Sequence, residues 1–294
     1  MALSFVPLSL NCRDDYIDLF SKSCQRASDY SFINIWAWAD ERDFEWAFDE
    51  DLCWLRTMSP SPALWAPIGL WKNKDWRKVL ESYFPAGAVF YRVPEMLALQ
   101  WQKELGDSVK IEEERSEWEY IYRVSELISL SGNRFHKKKN LLQQFLRSYA
   151  YTYEPITSKN IPYILEMQEK WCKWRNCDDS PGLKAESEAV HRILEQWQVM
   201  PNIMGGVLKV DGQMVAYTVA ESSGEDTVII HFEKGLTDYK GVYQAINQMF
   251  LERSAHSFTW VNREQDMGIE GIRKAKISYN PVYFLKKFIV TWDR

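Results

Sequence analysis

Apolar positions recur along the chain at two periods, and the period switches often. Spacing of three or four predicts helices over 14–24, 29–40, 74–84 and 94–105 in the first part of the sequence. Alternation and short apolar runs predict strands at "FEWAFDED", "LCWLRTM", "ALWAPIGL", 87–93 and "SEWEYIYRV". Prolines 60, 62 and 67 punctuate the early strands. After Ser131-Gly132-Asn133, a turn signal, a helix carries Phe135, Leu141, Leu142, Phe145, Leu146 and Tyr149 as its apolar positions. A strand over 150–157 follows, then two helices over 158–175 and 184–200. Asp211-Gly212 between two alternating runs predicts a hairpin with a type I′ turn. "DTVIIHFEKG" reads as the next strand, "VYQAINQMFLERSA" as a helix, "FTWVNRE" as a strand and "IEGIRKAKIS" as a helix, with Ile269 and Ile272 turned to the core. "VYFLKKFIVTW" reads as one final strand.

The order in the second part is β, α, α, β, β, β, α, β, α, β. The first part runs similarly but lacks a clear opening strand. This predicts an α+β chain of two domains with one shared architecture, 1–128 and 129–294. The 294 residues suit two domains of about 150 residues each.

Charge sharpens the division. Residues 1–128 hold 14 Lys and Arg against 22 Asp and Glu, and residues 129–294 hold 22 against 19. A net of −8 therefore faces a net of +3, so an anionic ligand belongs more naturally with the second half. Nothing resembles a strongly basic stripe, so duplex DNA is not an expected partner. Cys12, Cys24, Cys53, Cys172 and Cys177 are odd in number and scattered, with no CxxC pair. They predict ordinary thiols in a reducing cytoplasm, and no metal site. No basic start leads into an apolar core at the N-terminus, and no apolar run reaches the ~20 residues of a membrane span. The expectation is a soluble, cytoplasmic protein without a transmembrane segment.

The chemistry gathers at "HFEKGLTDYKGVYQAIN" (231–247). A strand ends there, turns, and starts a helix, and such a turn aims backbone N–H groups and a positive helix end at one point. Gly235 and Gly241 remove Cβ bulk, and Lys234 and Lys240 add charge. Strand alternation places His231 and Glu233 on one face with Ile229, and either could take a proton from an attacking group. Asn262, Arg263, Glu264 and Asp266 follow the next strand. Arg263 is suited to gripping a carboxylate or phosphate, and Glu264 or Asp266 to holding a substrate amine. Arg273 and Lys276 share a helix face by their spacing, with Lys274 pointing elsewhere. His136 and Lys137 open a basic cluster, "HKKK", placed to meet an anion. Tyr279 or Tyr283 could protonate a leaving group. For each of these, a solvated or hydrogen-bonded structural role is the competing reading.

"SGNRFHKKKN", "HFEKGLTDYKGVYQAIN" and "NREQDMGIEGIRKAKISYNP" resemble the C-terminal catalytic domain of bacterial phosphatidylglycerol lysyltransferase and the soluble family named for it. That family is similar to the Fem-type aminoacyltransferases. The resemblance implies two tandem GNAT-like acyltransferase domains, each a mixed central sheet flanked by helices, with the site in the second domain or the cleft. It further implies that Lys240, Gly241, Val242 and Tyr243 form the turn that receives the acyl donor's phosphates. The usual acetyltransferase turn reads Gln/Arg-x-x-Gly-x-Gly/Ala. Aligned on Gly241, this chain has Asp238 first and Tyr243 last, which disfavours coenzyme A.

The expected activity is transfer of an activated acyl or aminoacyl group to an amine or hydroxyl by direct attack. Aminoacyl-tRNA is favoured over acyl-CoA as donor, and no tightly bound cofactor is expected. The acceptor would be a small molecule, a lipid or a peptide, and the tRNA partner would be an acceptor end. The rival readings are a non-catalytic GNAT-fold module that binds a small anion, and an ordinary acetyl-CoA-dependent N-acetyltransferase.

Overall fold

The computed structural model describes residues 3–293. The chain forms two compact units. The first comprises residues up to Glu119, Gln265–Ile269 and Phe284 onward; the second comprises Tyr120–Glu264 and Glu270–Tyr283. The expected boundary at 128/129 thus differs from the structural one. The division falls before "YIYRV", and two later pieces of chain rejoin the first unit.

The first unit begins with β1 (Val6–Pro7), α1 (Arg13–Lys22), α2 (Phe32–Ala37) and α3 (Ala39–Arg42). It continues with β2 (Phe44–Asp49), β3 (Leu52–Thr57), β4 (Ala63–Trp65), β5 (Ile68–Gly69), α4 (Trp76–Tyr83), β6 (Ala88–Pro94), α5 (Glu95–Leu105) and β7 (Val109–Glu113). Its sheet runs β1-β2-β3-β4-β6, then the C-terminal strand Lys287–Trp292, then β7, with β5 on β3. Tryptophans dominate the core: Trp46, Trp54, Trp76 and Trp101 are fully buried, and Trp76 and Trp101 meet edge to face at 5.3 Å. Nine of the 14 tryptophans precede residue 119, and those buried here serve packing, the burial of each large ring contributing ~1.5–3 kcal/mol or more. One polar cluster interrupts this core. Lys287 donates to Asp29 and Glu119, Ser28 N–H donates to Glu119, and Arg92 pairs with Asp29 and Glu117. Burial pushes the Asp29 carboxyl up, but Arg92 and Lys287 overcome it and hold it at about 2.

The second unit contains β8 (Glu119–Arg123) from Tyr120 onward, α6 (Val124–Ser129), α7 (His136–Ser148), β9 (Tyr151–Pro155), α8 (Ile161–Arg175) and α9 (Pro181–Glu195). It continues with β10 (Ile203–Val210), β11 (Gln213–Ser223), β12 (Thr227–Gly235), α10 (Val242–Ser254), β13 (Trp260–Asn262) and α11 (Glu270–Ile277), and the chain passes back to the first unit within β14 (Tyr283–Leu285). The sheet order is β14-β8-β13-β12-β11-β10-β9. The last strand is β15 (Lys287–Trp292), so the final apolar run is two strands in two sheets, not one. Asp211 and Gly212 both take positive φ between β10 and β11, as a type I′ turn requires. Residues 215–221 of β11 are all buried, which suits a central strand covered on both faces. Val242, Ala245, Ile246, Met249 and Phe250 bury α10 against the sheet.

Two features of β12 shape the site. It pairs with β13 in parallel only from Thr227↔Trp260 to Ile229↔Asn262, then runs on to Gly235 alone on that side. The two strands therefore splay. On its other side the register with β11 passes from Ala220↔Ile230 to Val219↔Phe232, so His231 is the extra residue of a β-bulge.

The cysteine expectation needs correcting. Cys172 and Cys177 form a disulfide, with their Cα atoms 5.1 Å apart. Helix α8 ends at Arg175, and Asn176 turns left-handed with φ of +52°, which folds Cys177 back over the last helical turn. Cys12, Cys24 and Cys53 remain free. Ile269 is also exposed rather than turned to the core.

Candidate functional site

The bulge aims His231 across the splay. Its Nδ1 lies 2.8 Å from Glu264 Oε1 and its Nε2 3.0 Å from Glu221 Oε1, with the imidazole almost wholly buried (2% exposed). Burial works against the charged ring, but the two carboxylates outweigh it and raise the His231 pKa to about 10. At neutral pH both ring nitrogens carry protons and both donate. A ring in that state is a fixed positive charge and cannot serve as a base.

Glu264 itself sits in a strained backbone. Its φ is +55°, its N–H donates to Asn262 Oδ1, and its carbonyl accepts from Tyr120 N–H. A non-glycine residue held there costs roughly 1–3 kcal/mol, and such strain collects at functional sites. Its side chain stays partly open (18% exposed).

Two residues along β12, Glu233 faces the same loop. Arg263 Nη2 donates to Glu233 Oε1 at 2.9 Å, and Asn247 Nδ2 donates to Glu233 Oε2 at 2.9 Å from the buried face of α10. The Arg263 guanidinium lies 4.8 Å from the Tyr279 ring centroid and 6.0 Å from that of Tyr122. Lys138 Nζ lies 4.3 Å from the Tyr279 centroid. Lys276 donates to the Arg263 carbonyl, and its Nζ lies 5.7 Å from the Tyr120 ring. Tyr122 Oη donates to the Lys276 carbonyl. Burial raises the Tyr279 hydroxyl above its usual value despite Arg263, so it is a neutral phenol that can donate.

The turn before α10 is built differently from an open cradle. Gly241 has φ of +87°, and a Cβ there would run into the Leu141 carbonyl oxygen and meet Phe145. Helix α7 passes that close, so the glycine is required by packing. A Cβ on Gly235 would meet Val242 and the Tyr243 ring, which lies over it. Val242 N–H donates to the Tyr239 carbonyl and Lys240 N–H to Tyr149 Oη.

Several expected residues lie elsewhere. Asp266 is fully buried in the first unit, paired with Arg115 at 3.2 Å and accepting from Gly268 N–H. A carboxylate spent in this way and closed to solvent cannot hold a substrate amine. His136 and Lys137 are exposed, and His136 meets Asn140 on its own helix. Asn262 is a buried cap for Glu264. Arg273 is half-buried on α11, and Lys274 pairs with Glu270 at 2.6 Å. Tyr283 is exposed and packs edge to face on Trp260 at 5.3 Å.

Asn247, Glu221 and Tyr122 were missed, and within the basic cluster His136 and Lys137 were singled out where Lys138 is the half-buried member. A signal existed for Lys138. It shares helical spacing with Leu142 and Phe145, the buried positions of α7, so of the basic cluster it is the lysine that turns inward. Glu221 carried no such signal, because its partner is reached only through the bulge.

The family profile of the phosphatidylglycerol lysyltransferase C-terminal domain matches residues 21–291. The chain belongs to that family. Its fold is close to that of a conserved protein of unknown function from Bacteroides thetaiotaomicron, with 31% identity, a TM-score of 0.89, and 99% of this chain and 100% of that one covered. More distant in sequence is a C-terminal domain described as that of a lysylphosphatidylglycerol synthetase of Agrobacterium fabrum. It has 13% identity and a TM-score of 0.68, over 97% of this chain and 92% of that one. FemX has 8% identity and a TM-score of 0.60, over 99% and 98%. These two show the fold, a pair of GNAT-like domains. An uncharacterised protein of Mycoplasmoides gallisepticum is 25% identical over 203 residues, a match covering 66% of this chain and 62% of that relative. Homology supports a transferase of the aminoacyl-transferring kind. No helix among the described residues is long and apolar enough to cross a membrane.

Proposed function

We propose that the protein is an aminoacyltransferase that takes its acyl group from the 3′ ester of an aminoacyl-tRNA and passes it to an amine or hydroxyl. The observation that carries the choice of donor is the filled turn before α10. Tyr243 lies over Gly235, and the N–H groups of Lys240 and Val242 are already bonded within the protein. A coenzyme A pyrophosphate needs those donors and that space; an aminoacyl ester does not.

In this reading the acceptor enters at the splay of β12 and β13. Its lone pair attacks the ester carbonyl carbon, the bond from that carbon to the ribose oxygen breaks, and a new amide or ester forms. Glu264 takes the proton lost by the acceptor, held in place by the charged His231. Tyr279 supplies a proton to the departing ribose oxygen. Arg263 is kept in position by Glu233, which Asn247 orients in turn, so Glu233 serves as a positioning residue. Holding both reactants in one geometry supplies most of the rate. Phosphatidylglycerol, for which the family is named, is one candidate acceptor through a hydroxyl; peptide and small amines are the others.

The test is release of labelled amino acid from a mixture of charged tRNAs by the full-length protein. Phosphatidylglycerol vesicles, peptides and small amines are offered in turn. Acceptor-dependent release and a labelled product support the reading. No transfer to any of them, together with thermal stabilisation by acetyl-CoA, would overturn it.

A further inference from the structure

We infer that the Cys172–Cys177 disulfide is a redox site, opened and closed by exchange with a dithiol, and that its state sets the order of the end of β12. The exchange stands on its own, and its effect on transfer rests on the aminoacyltransferase reading.

The bridge does little of what a structural crosslink does. It joins residues five apart, so it removes little freedom from the unfolded chain. Helix α8 is already stopped without it, because Asn176 N–H donates to the Cys172 and Lys173 carbonyls in a left-handed cap. What the bridge fixes is the join between α8 and α9. Cys177 is buried, and it opens the short turn that leads into α9.

The two helices joined here hold buried polar groups of the sheet. From α8, Gln168 accepts from the Tyr217 hydroxyl at 2.6 Å, donates to Ser187 Oγ of α9 at 3.1 Å, and reaches Cys172 Sγ at 3.8 Å. Trp171, the neighbour of Cys172, has its ring centroid 4.0 Å from Lys234 Nζ. From α9, Glu186 accepts from that ammonium at 2.6 Å. The Tyr243 hydroxyl reaches the Trp171 side chain and the Gly235 backbone. Lys234 and Tyr217 are closed to solvent, so each depends on the partners these helices supply. Lys234 also follows Glu233, which holds Arg263 on the opposite face of β12. A sulfur of the bridge is thus in contact with a network that ends on the strand carrying the site.

The exchange takes two steps. Cys172 is half-buried while Cys177 is closed, and residues 173–176 are all exposed, so an entering thiolate attacks Cys172 Sγ. The Sγ–Sγ bond breaks, and Cys177 leaves as a thiolate that takes up a proton. The reagent's second thiolate then displaces Cys172 from the mixed disulfide, and Cys172 takes up a proton in turn. Two electrons and two protons have entered the protein, and the dithiol has become a disulfide. The reverse exchange closes the bond again. Opening it frees the α8–α9 join, loosens Trp171 and Glu186 around Lys234, and leaves the end of β12 less ordered.

The experiment equilibrates the full-length protein in mixtures of reduced and oxidised dithiothreitol, then alkylates it and maps the adducts by mass spectrometry. Cys172 and Cys177 should become alkylatable together without denaturant, while exposed Cys24 is alkylated throughout. Amide exchange over 168–187 and 233–243 should quicken by about tenfold on reduction. Glutathione disulfide should add one glutathione to Cys172 of the Cys177→Ser variant. The double variant Cys172→Ser with Cys177→Ser should exchange like the reduced protein and ignore the reagent, and its melting curve verifies that it is folded. Thiols that stay free in oxidised dithiothreitol, a bond that opens only in denaturant, a Cys172 that takes no glutathione, or amide exchange indifferent to reduction would each overturn the proposal. On the same samples, aminoacyl transfer should fall by about fivefold or more on reduction. Transfer unmoved after the bond has opened would sink the switch and leave the function. Redox-dependent amide exchange without transfer to any acceptor would sink the function and leave the redox site.

Discussion

His231 and Glu264 are joined at 2.8 Å across the gap where β12 and β13 part, and a second carboxylate, Glu221, holds the other side of the ring at 3.0 Å. The pair links a bulge in one strand to a strained residue after the next. Each needs the other. Without the imidazolium, Glu264 has less reason to hold φ of +55°. Without the two carboxylates, a buried charged ring would not persist.

This pair should make stability fall at alkaline pH. The folded pKa of His231, about 10, lies above its ordinary value of 6.5. A raised pKa stabilises fully below the unfolded value and less as pH climbs through the folded one. Urea denaturation between pH 6.5 and 10 should show a steady loss on the order of a few kcal/mol that His231→Phe abolishes. A variant that kept the full alkaline loss would place its origin elsewhere.

Glu264→Gln should separate chemistry from folding. The amide keeps the size of the side chain and can still accept from His231, so the melting temperature should move little. Aminoacyl transfer should drop by about 10²–10⁴-fold if this carboxylate takes the acceptor's proton. Unchanged transfer would assign the base to another group.

Much of this site was legible from the chain. The β12 turn, the α10 helix and the polar run after β13 follow from apolar periodicity, and the structure pairs Glu233 with Arg263 and His231 with Glu264. Three things were hidden for physical reasons. A bulge leaves no mark in a run such as "DTVIIHFEKG", so Glu221 could not be found. Asp266 sits two residues from Glu264 yet belongs to the first unit, because the chain returns there for five residues. The Cys172–Cys177 bond depends on a left-handed Asn176 that the spacing does not reveal.

Removing Arg263 should destabilise more than removing it together with its partner. Arg263→Met strands Glu233 in a largely closed site, which typically costs about 3–5 kcal/mol. The double change Arg263→Met with Glu233→Gln should recover most of that. Guanidinium denaturation of the four species gives the coupling, and simple additivity would mean the pair is not mutually dependent.

The first unit offers a parallel case. Lys287 is fully buried between Asp29 and Glu119. Lys287→Met leaves two buried carboxylates with one cation fewer, and should again cost about 3–5 kcal/mol at neutral pH. The loss should shrink in acid as the stranded carboxyls protonate. Thermal melts at pH 7 and pH 5 measure both.

Gly241 and Gly212 provide the sharpest comparison for the turn before α10. Both have positive φ, +87° and +78°, so alanine strains either backbone by about 1–2 kcal/mol. Beyond that the two differ. A Cβ on Gly212 meets nothing within 4 Å, whereas one on Gly241 runs into the Leu141 carbonyl and Phe145. Overpacking of that kind adds about 1–3 kcal/mol, because α7 must shift away from α10. Gly241→Ala should therefore melt well below Gly212→Ala without any ligand present. If the two melt alike, and Gly241→Ala instead loses only nucleotide or coenzyme A binding, then the glycine serves an anion after all and the turn is the cradle its sequence suggests.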